Sequence, residues 1–164
     1  MSNPRKPIIG IMGPGEPDDE DLLFHAEELG SRIAQNGWNL LTGGRKAGVM
    51  DAASKGAYES GGTVIGILPG KKQSEMSEFV TIPVMTGMGS ARNFINILSA
   101  DVVIVCGMGL GTASEAALAI KHAKPVVLTY VSRDQLNFFN SLSSKKLFIS
   151  NKPDEIIRQV KYLL

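Results

Sequence analysis

Short apolar runs alternate with segments of helical periodicity along the whole chain. Apolar residues that recur every three to four positions predict helices over 49–59, 90–98, 112–121 and 154–164, and a first helix from Asp18 to a stop at Gly37. Between these segments, runs rich in β-branched and other apolar residues predict strands over 7–12, 38–41, 63–68, 79–84, 102–105, 125–130 and 147–149.

This alternation determines the predicted fold class. Parallel strands need crossover helices, so strands that alternate with helices indicate a parallel sheet covered on both faces. We therefore predict an α/β fold, a single-domain Rossmann-like parallel sheet that spans residues 1–164. Pro83 places the 79–84 strand near an edge or an end of the sheet, and the polar segment 69–78 is predicted to be a mobile loop.

The composition narrows the class of protein. The chain has 164 residues, 17 Lys and Arg against 16 Asp and Glu, and a single cysteine. One cysteine cannot form an intrachain disulfide, so we expect a cytoplasmic protein whose core needs no covalent support. No run of about 18 apolar residues is present, so we expect no membrane-spanning helix. The near-neutral charge argues against nucleic acid as a partner.

Glycine is the unusual component, with 18 of the 164 residues, because an average chain contains roughly 7%. In an open parallel sheet, ligands bind beyond the carboxyl ends of the strands. Glycine-rich loops follow several of the predicted strands, at 13–15, 42–48 and 107–111. Their common position predicts a binding site at that edge of the sheet.

The loop from Gly107 to Thr112 is the sharpest of these signals. A strand that leads through a glycine-rich turn into a helix presents free backbone N–H groups at the positive end of the helix dipole. Without side chains, the backbone can approach a phosphate closely. The spacing G-x-G-x-G-T differs from the G-x-G-x-x-G dinucleotide fingerprint, so a dehydrogenase is disfavoured.

Glu115 and Arg92 are the candidate charged residues of the site. Thr112 and Glu115 have the spacing of a capping box, in which Thr112 caps the helix and Glu115 reaches back to it. Alternatively, Glu115 acts on a bound ligand as an acid or base, or binds one of its hydroxyl groups. A carboxylate beside a phosphate requires a cation nearby, and Arg92, at the start of the preceding helix, is the candidate.

Several other residues favour structural roles. His25 and His122 share no metal-ligand spacing, so we predict that both lie on the surface and that the chain has no metal site of its own. Cys106 is predicted to be a small strand-end residue; the alternative is a thiol that approaches a bound metal centre. Met88 and Met108 either fill gaps in the core or line a flat pocket suited to a pterin or purine.

Three motifs together resemble one known superfamily. They are Thr42-Gly43-Gly44-x-x-x-Gly48-Val49-Met50, then Arg92, then Gly109-Leu110-Gly111-Thr112-Ala113-Ser114-Glu115. The pattern resembles the Lonely Guy or "lysine decarboxylase-like" Rossmann superfamily, which includes the DNA-processing protein DprA, and the resemblance covers nearly the whole chain. The nucleoside 5′-monophosphate phosphoribohydrolases of that superfamily carry P-G-G-x-G-T-x-x-E with an upstream arginine. Arg92 and Glu115 match those two charged positions, which implies a catalytic role for both in a hydrolase.

Two departures from the hydrolase motif are similar to another branch, the molybdenum cofactor carriers. Gly107 stands in place of the motif proline, and Met108 in place of its first glycine. That branch implies a homo-oligomer, a dimer or a tetramer, which binds and protects molybdenum cofactor, a pterin carrying a phosphate. The predicted binding residues are Gly13, Gly43, Gly44, Gly48, Met88, Arg92, Gly107, Met108, Gly109, Leu110, Gly111, Thr112 and Glu115. The phosphoribohydrolase, which cleaves an N-glycosidic bond, is the alternative.

Overall fold

The computed structural model describes residues 5–164, which form a seven-stranded sheet flanked by helices. The strands are β1 (Ile8–Met12), β2 (Asn39–Thr42), β3 (Val64–Leu68), β4 (Ile82–Met85), β5 (Val102–Cys106), β6 (Val126–Thr129) and β7 (Phe148–Ile149). The helices are α1 (Glu20–Gln35), α2 (Gly48–Glu59), α3 (Arg92–Ser99), α4 (Leu110–Lys121), α5 (Arg133–Leu142) and α6 (Pro153–Leu163). Every neighbouring pair of strands is parallel.

Helices cover both faces of this sheet. Buried side chains of α1, α2 and α6 pack on one face, and those of α3, α4 and α5 pack on the other. The central strand β5 is buried along its whole length, as expected for a parallel strand with helices above and below it. The predicted α/β class with a parallel sheet is therefore confirmed.

The strand order places a crevice near the centre of the sheet. The order is β4-β3-β2-β1-β5-β6-β7, so the chain moves outward from β1 to β4 and then crosses back to β5 on the other side of β1. The connections leave β1 and β5 in opposite directions, and the loops that follow these two strands separate. Such a switch point is where open α/β sheets bind ligands.

The first two helices pack unusually close together. A methyl group added at Gly30 of α1 would overlap the carbonyl oxygen of Ala53, and one added at Gly56 of α2 would overlap that of Glu27. The two backbones therefore touch at a pair of glycines, and a larger residue at either position would force the helices apart.

The structure corrects the prediction in one segment and refines another. No element was predicted between 130 and 147, but α5 lies there, started by a capping box between Ser132 and Gln135. Its apolar stripe is thin, because Phe139 is its buried residue whereas Phe138 and Leu142 are exposed. Strand β4 is at the edge of the sheet, as predicted from Pro83, although it begins at Ile82 instead of 79.

Within residues 5–164, no helix combines the length and the apolar character needed to cross a bilayer.

Candidate functional site

A cleft of about 370 Å³ lies at the carboxyl ends of the central strands, at the switch point between β1 and β5. Its walls come from the turn after β1, the loop after β2, the start of α3 and the first turn of α4. The lining residues are Ile11, Met12, Gly13, Pro14, Gly15, Gly43, Arg45, Met50, Pro69, Gly89, Ser90, Arg92, Asn93, Gly109, Leu110, Gly111, Thr112 and Glu115.

The first turn of α4 forms one wall of the cleft and has no side-chain cap. The N-cap residue is Gly109, and the first bond of the helix runs from the N–H of Ala113 to the carbonyl oxygen of Gly109. The N–H groups of Leu110, Gly111 and Thr112 precede that bond and have no acceptor within the helix. Such a turn attracts an anion, because the dipole and the free amides act together.

The capping-box alternative for Thr112 and Glu115 is wrong. The helix begins at Leu110, two residues before the predicted start, so Thr112 lies inside the first turn and cannot be its cap. The Thr112 hydroxyl is buried and has no hydrogen-bond partner among the described residues. The carboxylate of Glu115 binds across to α3 instead.

Arg92 is a buried cation that has no acidic partner in the described part of the chain. The residue is 8% exposed, and its guanidinium lies against the backbone of Gly43. Within residues 5–164, no carboxylate lies within 4.0 Å of its nitrogens, and its buried Nε has no acceptor. Burial lowers the pKa of Arg92 and the nearby Arg45 lowers it further, whereas the charge of Glu115 opposes both. A buried charge normally requires a partner, so this guanidinium is arranged to receive an anion.

Glu115 lies in the same cleft, one turn further along α4. It is 6% exposed, and the Nδ2 of Asn96 donates a hydrogen bond of 2.8 Å to its Oε1. Burial raises the pKa of Glu115 from its ordinary 4.5 to about 7, although the Asn96 hydrogen bond and the charge of Arg92 both lower it. The carboxyl group therefore exchanges its proton near neutral pH.

The predicted binding residues separate into two groups. Gly13, Gly43, Arg92, Gly109, Leu110, Gly111, Thr112 and Glu115 line the cleft, and Gly44, Gly48, Met88, Gly107 and Met108 do not. Gly44, Gly48 and Gly107 have positive φ angles of 75°, 48° and 75°, so they shape the loops around the cleft. Met88 is exposed, and Met108 packs against the core on the α3–α4 face.

Arg45 is the main residue of the cleft that the sequence analysis missed. It directly follows Gly43 and Gly44 on the loop after β2. A cation at this position, next to a glycine turn, could have been predicted to face the ligand. Its Nε lies 3.5 Å from Oε2 of Glu75, so the loop after β3 is tied to the rim of the cleft. Asn93 and Ser90 also line the cleft, and only the fold brings them there.

Cys106 and one of the histidines are buried outside the cleft. The prediction that His25 lies on the surface is wrong, because it is 4% exposed and its Nε2 lies 2.9 Å from the hydroxyl of Thr129 on β6. His122 is exposed, as predicted. Cys106 is fully buried and does not line the cleft, and burial raises the pKa of its thiol to about 12.

Two solved structures are similar to this chain over nearly all of its length. The molybdenum cofactor binding protein from the phototrophic bacterium Rippkaea orientalis is 50% identical, with a TM-score of 0.94 over 97% of this chain and 98% of that one. The molybdenum cofactor carrier protein from Chlamydomonas reinhardtii is 52% identical, with a TM-score of 0.90 over 96% and 98%.

A more distant relative is an enzyme. The cytokinin riboside 5′-monophosphate phosphoribohydrolase of Mycobacterium tuberculosis is 27% identical over 132 residues, which are 73% of this chain and 68% of the relative. The resemblance to the Lonely Guy superfamily and to its carrier branch is thus confirmed. The model of the SLOG cluster4 family matches residues 6–157. This chain belongs to the SLOG cluster4 family.

Proposed function

We propose that this protein binds and protects molybdenum cofactor as a carrier. The observation that carries the proposal is the buried Arg92 guanidinium, which has no acidic partner among the described residues and lies at a cleft bordered by the free amides of α4. A phosphate group would supply the missing charge and accept hydrogen bonds from both. Among phosphorylated ligands we propose molybdenum cofactor, as the cargo of the protein, because the two similar carriers are 50% and 52% identical to this chain.

The cleft also suits the flat ring of a pterin. Beyond the first turn of α4, its lining includes the apolar residues Ile11, Met12 and Met50, of which Met50 is the most exposed, and the small residues Pro14 and Gly15. Such surfaces hold a planar ring, while a small number of polar groups fix its orientation. Within residues 5–164, no cluster of His, Cys, Asp and Glu could hold a metal ion. The molybdenum is therefore proposed to be held by its own pterin.

We further propose that the carrier works in the cytoplasm as a homo-oligomer, a dimer or a tetramer, with no nucleic acid partner. Exposed apolar side chains on α3 and at the start of α4 support association: Phe94 is 38% exposed, Leu98 50% and Leu110 96%. Light scattering of the purified protein would measure its mass, and a monomer at micromolar concentration would contradict this part of the proposal.

The first test places a charge where the phosphate is proposed to bind. Gly111 is exposed, and a side chain there would meet open space, with the Nδ2 of Asn93 at 4.0 Å as its nearest contact. Gly111→Asp should fold and should weaken cofactor binding roughly tenfold or more by charge repulsion. Gly111→Asn is the matched neutral control. Equal affinities for the two variants in equilibrium binding, measured without oxygen, would contradict the assigned phosphate position.

A phosphoribohydrolase is the second candidate, favoured by the Glu115 carboxyl group whose pKa of about 7 suits proton transfer. Incubation with AMP at neutral pH would release adenine and ribose 5-phosphate if the cleft were hydrolytic. We expect no adenine, and survival of the bound cofactor in air. Adenine release that disappears in Glu115→Gln would identify an enzyme and overturn the carrier role.

A further inference from the structure

The polar groups of the cleft fall into two sets with opposite requirements, called here the phosphate end and the carboxyl end, although Arg92 and Glu115 are close enough for their charges to interact. The phosphate end consists of the α4 amides with Arg92 and Arg45, which all favour an anion. The carboxyl end consists of Glu115, Asn96 and the hydroxyl of Thr112, and a carboxylate there repels an anion. In its ionised form, Glu115 therefore favours a ligand group other than the phosphate.

Asn96 restricts the orientation of the Glu115 carboxylate in the cleft. It comes from α3, is fully buried, and donates its 2.8 Å hydrogen bond to Oε1 of Glu115 only. A carboxylate held at one oxygen has a restricted orientation, and its second oxygen stays available for a ligand. Since Glu115 lines the cleft and Asn96 does not, Asn96 acts through Glu115.

We propose that Asn96 is a positioning residue that aims Glu115 at an uncharged hydrogen-bond donor of the ligand. The amide and amino N–H groups on the pyrimidine edge of a pterin are donors of this kind, because a carboxylate can accept from both. The inference rests on the proposed carrier function and adds a second point of recognition to it. The phosphate and the ring would thus be held by different ends of one cleft.

Two probes separate the ends of the cleft: the complete molybdenum cofactor, and glycerol 3-phosphate, which carries a phosphate and no ring. Glu115→Gln keeps an acceptor for Asn96 but turns an amide N–H toward the ligand. We expect it to weaken cofactor binding about tenfold, the effect of one charged hydrogen bond, and to leave glycerol 3-phosphate affinity unchanged or higher. Asn96→Leu should give the same pattern. Equal losses for both probes, or no loss for either, would overturn the proposal.

The pH dependence of binding distinguishes positioning from a merely structural role. The charged residues that line the cleft are Arg92 from α3, Arg45 from the loop after β2 and Glu115 itself. If cofactor binding depends on the ionised Glu115 carboxylate, cofactor affinity should rise with pH. This rise should be absent in Glu115→Gln. The Asn96 hydrogen bond lowers the pKa of Glu115, so Asn96→Leu should move the midpoint to higher pH. An unchanged midpoint would overturn the positioning role.

Asn96→Leu leaves Glu115 without its partner and could unfold the protein. The double variant Asn96→Leu/Glu115→Gln removes the buried charge, and its cofactor affinity should equal that of Glu115→Gln alone. A further loss in the double variant would show that Asn96 acts independently of Glu115. A wild-type protein that fails to bind the cofactor contradicts the proposed function, whereas binding that is insensitive to both variants contradicts only this inference.

Discussion

Two polar clusters lie at the same edge of the sheet, and their buried polar atoms differ in how far the protein supplies hydrogen-bond partners for them. The cleft cluster consists of Arg92, Asn96, Thr112 and Glu115, which come from α3 and α4. In this cluster the Nε of Arg92, the Oδ1 of Asn96 and the hydroxyl of Thr112 are buried without partners among the described residues.

The histidine cluster consists of His25, Thr129, Tyr130 and Asn151, around the end of β6. The hydroxyl of Thr129 lies 2.9 Å from the Nε2 of His25 and 3.3 Å from the Oδ1 of Asn151, which also accepts a 2.8 Å bond from the backbone N–H of Tyr130. The ring of His25 packs on that of Tyr130 at 4.7 Å. This cluster satisfies its own hydrogen bonds.

The contrast separates a structural cluster from a binding cluster. Leaving a buried polar atom unpaired costs stability, so a protein keeps such atoms where a ligand completes them. The histidine cluster holds α1 and the residues after β7 against β6. The cleft cluster instead keeps buried polar atoms that a ligand could pair with. Stability and binding should therefore respond in opposite ways when each cluster is changed.

Removal of the Arg92 charge should have the largest effect. Arg92→Met keeps most of the side-chain volume, so we expect cofactor affinity to fall by about 4 kcal/mol, on the order of a thousandfold. The free energy of unfolding should stay unchanged or rise, because the buried charge has no acidic partner among the described residues. The exposed Arg158→Met is the control, with no effect on binding. Destabilisation of Arg92→Met by several kcal/mol would show that the arginine is structural.

The pH dependence of stability should differ in sign between the clusters. Burial raises the pKa of Glu115 above its ordinary 4.5, to about 7, so its contribution to stability is complete below pH 4.5 and is lost as pH rises toward 7, by up to about 3 kcal/mol. Burial lowers the pKa of His25, despite the opposing charge of Glu28, so its contribution is present above pH 6.5 and is lost as pH falls below that value.

Urea denaturation between pH 4.5 and 8 measures both effects. Glu115→Gln should remove the first dependence and His25→Gln the second. A Glu115→Gln variant that retains the wild-type profile would contradict the assignment to Glu115, and a His25→Gln variant that retains it would contradict the assignment to His25.

Valine substitution of the two buried threonines should have the smallest effect and gives the most closely matched comparison. Thr129→Val removes the contacts to His25 and Asn151, so the free energy of unfolding should fall by about 1–2 kcal/mol with cofactor affinity unchanged. Thr112→Val removes a hydroxyl without a partner, so stability should be unchanged or slightly higher while affinity falls severalfold. Equal destabilisation by the two substitutions would remove the distinction between the clusters.

Eight of the eighteen residues that line the cleft were predicted from the sequence, because they follow strand ends or match a motif. Gly43, Gly109 and Gly111 are adjacent to runs whose periodicity is clear, and Arg92 and Glu115 match a motif. Asn96 escaped prediction because its role depends on the packing of α3 against α4, whereas Arg45 was overlooked although it directly follows the Gly43–Gly44 turn. His25 was misplaced because the helical pattern of α1 does not show that a polar group on β6 faces it. Helix α5 was missed although its apolar residues Leu136, Phe139 and Leu142 recur at three-residue spacing, a periodic signal that the sequence interpretation overlooked.

The backbone contact between α1 and α2 at Gly30 and Gly56 restricts which side of the cleft can open for cargo to enter and leave. At these two glycines no side chain separates the backbones, so the helices cannot move apart there by rotamer changes, and we expect their amides to exchange hydrogen slowly and together, as one cooperative unit. The short helix α3, with Phe94 and Leu98 facing solvent, has no such anchor. Native-state hydrogen exchange of dilute, monomeric protein should therefore show the cleft opening on its α3 side while the wall carried by α2 stays closed, and a second copy that covers Phe94 and Leu98 should slow this opening.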